Sequence, residues 1–309
     1  MLPCVATIGF FDGVHLGHQY VIGRLAKEAR LQGLQAVVIT FDQHPGTVLA
    51  SPGTDVNTPS LRFMLTPLQE KHDLILQAGA DRCEVLHFDR QLAALSAREF
   101  MATVLKGQLK VHTLLIGYDN RFGCRDAMSA EGFDDYVRYG EEVGIVVKGL
   151  EPLDYTESGV RIQAKSSFIR DYLRSGDILQ ANACLGRAYS VRGTVVHGEH
   201  IGTGLGFPTA NIVPDEPLQL IPAKGVYEVR VGSRTGMMNI GTRPTYGAHQ
   251  LSLEVHIFGF SGDLYGQRLS VSFIRRIREE RQFASSEDLR RQLEQDKQQI
   301  LNNNEKQSF

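Results

Sequence analysis

The hydrophobic period of this sequence changes once, near Ala181. Before that point short β-branched runs alternate with helical stretches: Val5–Gly9, Ala36–Phe41, Arg82–Phe88, Thr113–Gly117 and Gly144–Leu150. Strands that are almost continuously apolar and separated by helices call for a parallel sheet covered on both faces. After Tyr189 the runs alternate with period two, at Tyr189–His197, Gly225–Val231, Gly236–Ile240, Leu251–Phe258 and Leu269–Ile277, punctuated by Gly and Pro. That pattern predicts a compact antiparallel barrel or sandwich. One sheet cannot satisfy both patterns, and 309 residues leave room for two domains. The expected architecture is α/β + β, with domains over residues 1–181 and 182–309 and a last helix over about residues 286–302. That helix has a thin apolar stripe at Leu289, Leu293 and Ile300.

Local signals support the helices of the first half. Thr66-Pro67-Leu68-Gln69 predicts an N-cap, a proline at the first helical position and a capping-box glutamine, with Gly79 just past the far end. Ser96-Ala97-Arg98-Glu99 predicts a second capping box.

Bulk properties exclude more than they assign. The chain is 42% apolar and 22% charged with a formal net charge of −2, so charge alone draws it neither to nucleic acid nor to a membrane surface. No run has the length of a membrane span and no signal-like segment opens the chain. Cys4, Cys83, Cys124 and Cys184 are scattered, which predicts reduced, mostly buried thiols in a cytoplasmic protein and no zinc site.

The residues that carry chemistry follow the predicted strands. Gly9-Phe10-Phe11-Asp12-Gly13-Val14-His15-Leu16-Gly17-His18 leaves the first strand, and its glycines let backbone N–H groups approach a phosphate at a helix N-terminus. His15 and His18, three apart, can face that phosphate together. Asp42, His44 and Pro45 follow the second strand; Asp119, Arg121 and Phe122 follow the fourth; Lys165, Ser166, Ser167 and Arg170 follow the last and open a helix. In an open α/β sheet ligands sit beyond the strand C-termini, so these four clusters are expected to converge. Histidine, arginine and backbone N–H groups suit charge stabilisation on a transferring phosphoryl group.

The second half has its own cluster. Gly198, Gly202, Gly204 and Gly206 precede Phe207-Pro208-Thr209-Ala210-Asn211, a loop able to wrap a phosphate but not a Walker loop. Thr209 and Asn211 offer oxygens to a hard cation such as Mg²⁺. Glu254 alternates with Leu253 and Val255 and shares a face with Ser252 and His256, a candidate base if that face lines a cavity and ordinary surface if it does not. His72, His87, His112, His197, His200, His249 and His256 read as surface or strand histidines. The run Arg275-Arg276-x-Arg278 reads as a solvated face or as a salt-bridge partner of the last helix.

The motifs resemble a known family. Gly9-x-Phe11-Asp12-Gly13-x-His15-x-Gly17-His18, Thr40-Phe41-x-x-His44-Pro45, Gly117-x-Asp119-x-Arg121-Phe122-Gly123 and Ser166-Ser167-x-Ile169-Arg170 resemble the FMN adenylyltransferase module of the bacterial bifunctional riboflavin kinase/FAD synthetases. Gly206-Phe207-Pro208-Thr209-Ala210-Asn211, Pro222-x-x-Gly225-Val226-Tyr227, Asn239-Ile240-Gly241, Glu254 and Asp263-Leu264-Tyr265-Gly266 look like riboflavin kinase. The resemblance implies a Rossmann-like nucleotidyltransferase domain followed by a riboflavin-kinase-like barrel, with riboflavin, FMN, FAD and ATP as ligands and Mg²⁺ as cofactor. It implies that His15 and His18 act on ATP phosphates, with Gly9, Phe11, Gly17, Ser166, Ser167 and Arg170 around the nucleotide. His44, Asp119 and Phe122 would sit by FMN. In the barrel, Gly198, Gly204, Gly206, Thr209 and Asn211 would hold Mg-ATP, Arg243 the flavin, and Glu254 the riboflavin 5′-hydroxyl. The family often has Phe at Asn120, Ser at Lys165, a basic residue near Thr203 and a longer leader before Gly9. A monomer or weak homo-oligomer with no nucleic-acid or membrane partner is expected. The alternative is a nucleotidyltransferase for another small substrate, with a non-catalytic flavin-binding barrel.

Overall fold

A computed structural model describes residues 2–44, 48–49, 64–117, 122, 132–150, 156–157, 160–161, 164–198, 204–245 and 248–306, with the side chains of 156–157, 160–161, 243–245, 248–250 and 304–306 left aside. By contact the chain divides into two units, Met1–Ser166 and Ser167–Phe309.

The first unit is built on five parallel strands, β1 (Cys4–Ile8), β2 (Gln35–Phe41), β3 (Arg82–Leu86), β4 (Val111–Gly117) and β5 (Val146–Leu150), in the order β3-β2-β1-β4-β5. Every residue of β1 is buried, as a central strand covered on both faces requires. Alternate side chains serve the two faces. Val5 joins Ile22, Leu25, Ala26 and Ala29 of α1 (Leu16–Gln32) and Ile75 of α2 (Leu68–Gln77). Those α1 positions run i, i+3, i+4, i+7, one stripe of a helix. Ala6 and Ile8 face α3 (Ala97–Phe100), its continuation as a π-helix (Met101–Gln108), and Tyr136 of α4 (Phe133–Val143). The chain first winds from β1 to β2 and β3, then returns to β4 on the other side of β1. The C-terminal ends of β1 and β4 therefore flank the switch point of the sheet, where α/β folds bind ligands.

The helix starts differ in how well the sequence marks them. Ser96 and Glu99 form the expected reciprocal capping box. At α2 the expected cap moves by one residue: Pro67 is the N-cap, and Thr66 Oγ1 makes no hydrogen bond. The Thr66 backbone N–H donates instead to the buried Asp12 carboxylate, which also receives Leu65 N–H. A tertiary anion takes the Thr66 N–H that a capping-box Gln69 would have accepted, and no side chain caps the helix.

A two-stranded hairpin, β6 (Thr156–Glu157) and β7 (Val160–Arg161), precedes α5 (Ser166–Ser175) and α6 (Ile178–Leu185). Asn182 of α6 fastens the second unit at its start: its carboxamide donates to Phe273 O (2.9 Å) and accepts from Tyr189 N–H (2.7 Å).

The second unit is a closed antiparallel barrel of β8 (Tyr189–Val196), β9 (Ala210–Pro214), β10 (Gly225–Val231), β11 (Arg234–Thr245), β12 (Ala248–Ile257) and β13 (Arg268–Arg278), in the order β10-β11-β12-β9-β8-β13. Its interior is filled by Tyr227 and Phe273, in edge contact at 5.4 Å, with Val191, Val229, Met238, Ile240, Leu253 and Val255. Burial pushes the Tyr227 phenol up to about 12. β9 falls where the sequence indicates only the end of a glycine loop; it is five residues long and pairs with β12 through two positions. β11 is longer than expected. Beyond Ile240 it pairs with β12 alone, so the missing N–H of Pro244 costs no ladder bond on its free side.

The last helix, α7 (Ser286–Lys306), packs Leu293 and Ile300 against Phe207, Val226 and Met237. Asp296, 1% exposed, accepts from Arg278 Nε at 2.9 and 3.2 Å and from Gln292. Neither Arg275 nor Arg278 belongs to a solvated face, because Arg275 pairs with the buried Glu228 at 2.7 Å and Arg278 with Asp296. No helix among the described residues is long and apolar enough to cross a membrane.

Candidate active sites

The turn after β1 is a strained, densely packed device. Phe11 (φ 53°) and Val14 (φ 39°) both adopt the left-handed conformation that β-carbons disfavour. They stay there because both rings and branches are buried in the core under α1. His15 is the N-cap of α1 rather than a residue of its first turn, and its Nδ1 accepts from His18 N–H at 3.4 Å. A neutral His15 so engaged carries its proton on Nε2. The two imidazoles stack with centroids 3.6 Å apart, and Phe11 meets His18 edge-on at 5.0 Å. A β-carbon on Gly17 would come within 3.2 Å of the His15 ring, so glycine leaves the space that ring occupies. Burial pushes His18 well below the ordinary imidazole range, helped by His15 and Lys71. His18 is therefore neutral near pH 7 and offers an N–H dipole rather than a full charge. The first turn of α1 has no acidic residue, which keeps its positive end open to an anion.

Two of the neighbouring clusters touch this turn, each through one residue. His44, after β2, lies edge-on to Phe10 with centroids 4.8 Å apart. Ser166 Oγ donates to the Asp12 carbonyl at 2.9 Å, tying the start of α5 to the turn. Gly9 stands against the Phe11 ring, 3.1 Å from where a β-carbon would be. Asp42, grouped with His44 by sequence, is committed elsewhere: His87 donates to it at 2.6 Å and Phe88 N–H at 3.0 Å. Phe122 stacks on Tyr136 (4.6 Å), whose hydroxyl donates to the Phe122 carbonyl at 3.2 Å. One face of the Phe122 ring is thus already covered. Ser167 and Lys165 are exposed and Arg170 is half-buried; Ser167 and Arg170 fall in the second unit. Pro45, Asp119, Asn120, Arg121 and Cys124 lie outside the described residues.

The barrel site lies on its outer surface under α7. β12 places Glu254 directly opposite Asn239 of β11 on one side and Asn211 of β9 on the other. Leu253, Val255 and Ile257 point inward, so Glu254 and His256 face outward, as their alternation predicts. A cavity of about 250 Å³ is lined by Thr209, Asn239, Glu254 and His256, with Phe207, Leu289 and Leu293 as its apolar side. A β-carbon on Gly198 would overlap the Asn211 carboxamide, so that glycine is required by close approach. Gly204 and Gly206 are exposed, and Gly206 has φ 82°. Arg243 pairs with Gln250 by backbone register, and its side chain lies outside the description, as do Gly202 and Thr203.

Family models match each unit separately: an FAD synthetase model over residues 2–164 and a riboflavin kinase model over residues 185–303. The bifunctional riboflavin kinase/FMN adenylyltransferase of Escherichia coli K12 is 37% identical over 303 residues, covering 95% of this chain and 90% of the relative. The chain belongs to the bifunctional riboflavin kinase/FMN adenylyltransferase family. The Bacillus subtilis member is 35% identical, covering 96% of this chain and 91% of its own. A crystal structure described as a macrolide-efflux protein from Streptococcus pneumoniae has a TM-score of 0.83 at 29% identity and covers 97% of this chain and 94% of that one.

Several residues of these sites escape motif reading in this family member. His256, expected as a strand histidine, lines the cavity, donates from Nδ1 to the Pro208 carbonyl (2.8 Å) and has its pKa lowered by burial. Glu280 lines the same cavity and reaches the space a side chain on Gly241 would need. Arg278 stands in the cavity wall, held by Asp296. Lys71 is buried beside the turn of the first unit. Its signal was available: it is a lysine on the apolar stripe of α2, four residues before Ile75.

Proposed function

We infer that this chain makes FMN from riboflavin and ATP in its second unit, and FAD from FMN and ATP in its first. The observation that carries the reading is that the two family matches fall on separate units, each holding its own cluster of polar groups against a glycine-bearing turn.

In the barrel, the Glu254 carboxylate would orient the riboflavin 5′-hydroxyl and accept its proton as the oxygen attacks the γ-phosphorus, with ADP leaving. A weak base suffices where the proton departs late in a loose transfer. Thr209 and Asn211 would hold Mg-ATP, beside a backbone loop that includes Gly198, Gly204 and Gly206. The donors fit magnesium: a hydroxyl and a carboxamide oxygen, with Asn211 opposite Glu254, leave positions for phosphate oxygens. The ion, when bound, offsets phosphate charge. Arg243 would contact the flavin, and the apolar side formed by Phe207, Leu289 and Leu293 suits a flat ring.

In the first unit, an FMN phosphate oxygen would attack the α-phosphorus of ATP, and the bond to pyrophosphate breaks. The N–H groups of His15 and His18 and the N-terminus of α1 would stabilise charge on the transferring group. Gly9, Phe11 and Gly17 shape that turn, and Ser166 is bonded to it; by the family resemblance Ser166 and the residues that follow it, Ser167 and Arg170, would hold the triphosphate, and His44, Asp119 and Phe122 would border FMN. Lys165 adds a cation to the phosphate side. The protein would work in the cytoplasm as a monomer or weak homo-oligomer.

The test is a time course with riboflavin, ATP and Mg²⁺, resolving flavins by chromatography. FMN should rise first and FAD follow. FMN without FAD would leave the first unit unexplained, and no flavin nucleotide at all would sink the reading of both units.

A further inference from the structure

Lys71 sits where an amphipathic helix normally carries an apolar residue, and it is 2% exposed. Its ammonium donates to the carbonyl of Phe10 at 3.1 Å and to that of Phe41 at 2.9 Å, and lies 4.2 Å from the centre of the Phe10 ring. Phe10 belongs to the turn after β1, and Phe41 is the last residue of β2. Thr40 Oγ1 donates to the same Phe10 carbonyl at 3.0 Å. One cation thus bridges two strand ends behind the turn that carries His15 and His18, while Phe10 meets His44 edge-on.

A satisfied core lysine is the simplest account, but it does not explain the choice of residue. Methionine would fill a similar volume without desolvating a charge. Burial pulls the Lys71 amine down to about 8, so it stays charged at neutral pH against its surroundings. Asp12 from the turn, Asp42 after β2 and Cys83 of β3 all favour its charged form, and Asp42 is itself paired with His87. His18 feels the same cation, together with the stacked His15.

We propose that Lys71 is a positioning residue for adenylyl transfer, clamping the Phe10 and Phe41 carbonyls so that the Gly9–His18 turn keeps its phosphate-binding shape, and placing a fixed positive charge behind it. This rests on the adenylyltransferase reading of the first unit. The charge draws the nucleotide phosphates towards the turn and adds to the burial and the stacked His15 that hold His18 in its neutral, N–H-donating form.

The test compares wild type, Lys71→Met and Lys71→Arg for FAD formation from supplied FMN, with kcat and KM followed from about pH 6 to 9.5, across the Lys71 titration. Circular dichroism checks folding, and FMN formation from riboflavin serves as the second-unit control. Lys71→Met should lower kcat for FAD formation by about 100-fold, the effect of displacing reactive groups by about an ångström. FMN formation should stay unchanged. Lys71→Arg should recover most of the loss and move the alkaline limb of the wild-type profile to higher pH, because guanidinium keeps its proton. A folded Lys71→Met protein with wild-type kcat and limbs overturns the proposal. So does Lys71→Arg with an unmoved alkaline limb, and that result decides the matter if the methionine variant fails to fold. Wild-type protein that makes FMN but no FAD removes the reading of the first unit, and this inference with it.

Discussion

Replacing Asp296 by alanine should loosen the terminal helix from the barrel cavity. Asp296 is 1% exposed and accepts Arg278 Nε on both oxygens, at 2.9 and 3.2 Å, as well as Gln292 Nε2 at 2.7 Å. Each charge-assisted bond contributes about 1.5–3 kcal/mol. The larger effect is on the partner: the Arg278 side chain is 16% exposed and would be left in the cavity wall without a counter-charge. Stranding one member of a buried pair costs about 3–5 kcal/mol. That is a large part of the ~5–15 kcal/mol that holds a domain together. Urea unfolding of the second unit should show a loss in that range for Asp296→Ala. Replacing both partners, Arg278→Met with Asp296→Leu, should cost less than Asp296→Ala alone, since it removes the stranded charge. The same alanine variant should raise KM for riboflavin, because Leu289 and Leu293 of α7 line the cavity, while FAD formation from supplied FMN is unaffected. A loss below about 1 kcal/mol, the scale of a solvated surface pair, would refute the claim that this pair holds the helix in place.

Other outcomes are equally specific. The His18 imidazole should titrate well below about 6.5 by NMR. Its folded pKa lies below the unfolded one, so the unfolded chain takes the proton first and the first unit loses stability as pH falls through that window; His18→Gln should flatten that loss. Gly198→Ala forces the Asn211 carboxamide aside, and FMN formation should fall by about 100-fold while FAD formation from FMN persists. Ser96→Ala removes a complete capping box and should cost the first unit about 1 kcal/mol in thermal or urea unfolding, with no change in either reaction rate.

The fold was legible wherever period and burial agree. β1 and β2 are almost continuously apolar because both faces are covered, and β8 alternates because one face fills the barrel. β9 was hidden because Phe-Pro-Thr-Ala-Asn carries turn formers, and its pairing comes from β8 and β12 rather than from its own propensity. The α2 cap was misplaced by one residue, and Asp12, distant in sequence, takes the Thr66 N–H that a capping-box Gln69 would have accepted. Among functional candidates, His15 and His18 stand out in sequence because glycines surround them. Lys71 is marked only as a cation on an apolar helix stripe, and His256 and Glu280 are not marked at all, because what they line depends on residues distant in sequence. Asp42 shows the converse: its motif position suggests the phosphate cluster, yet a histidine after β3 holds it at 2.6 Å.

The central claim is that one chain carries two independent sites for successive steps. It is tested most directly by exchanging substrates between two variants, Glu254→Gln and His18→Ala, each checked for folding. Given riboflavin and ATP, Glu254→Gln should form no FMN, yet it should convert supplied FMN to FAD at the wild-type rate. His18→Ala should accumulate FMN from riboflavin and make little FAD from either flavin. Loss of both steps in either folded variant would contradict the assignment of one site to each unit.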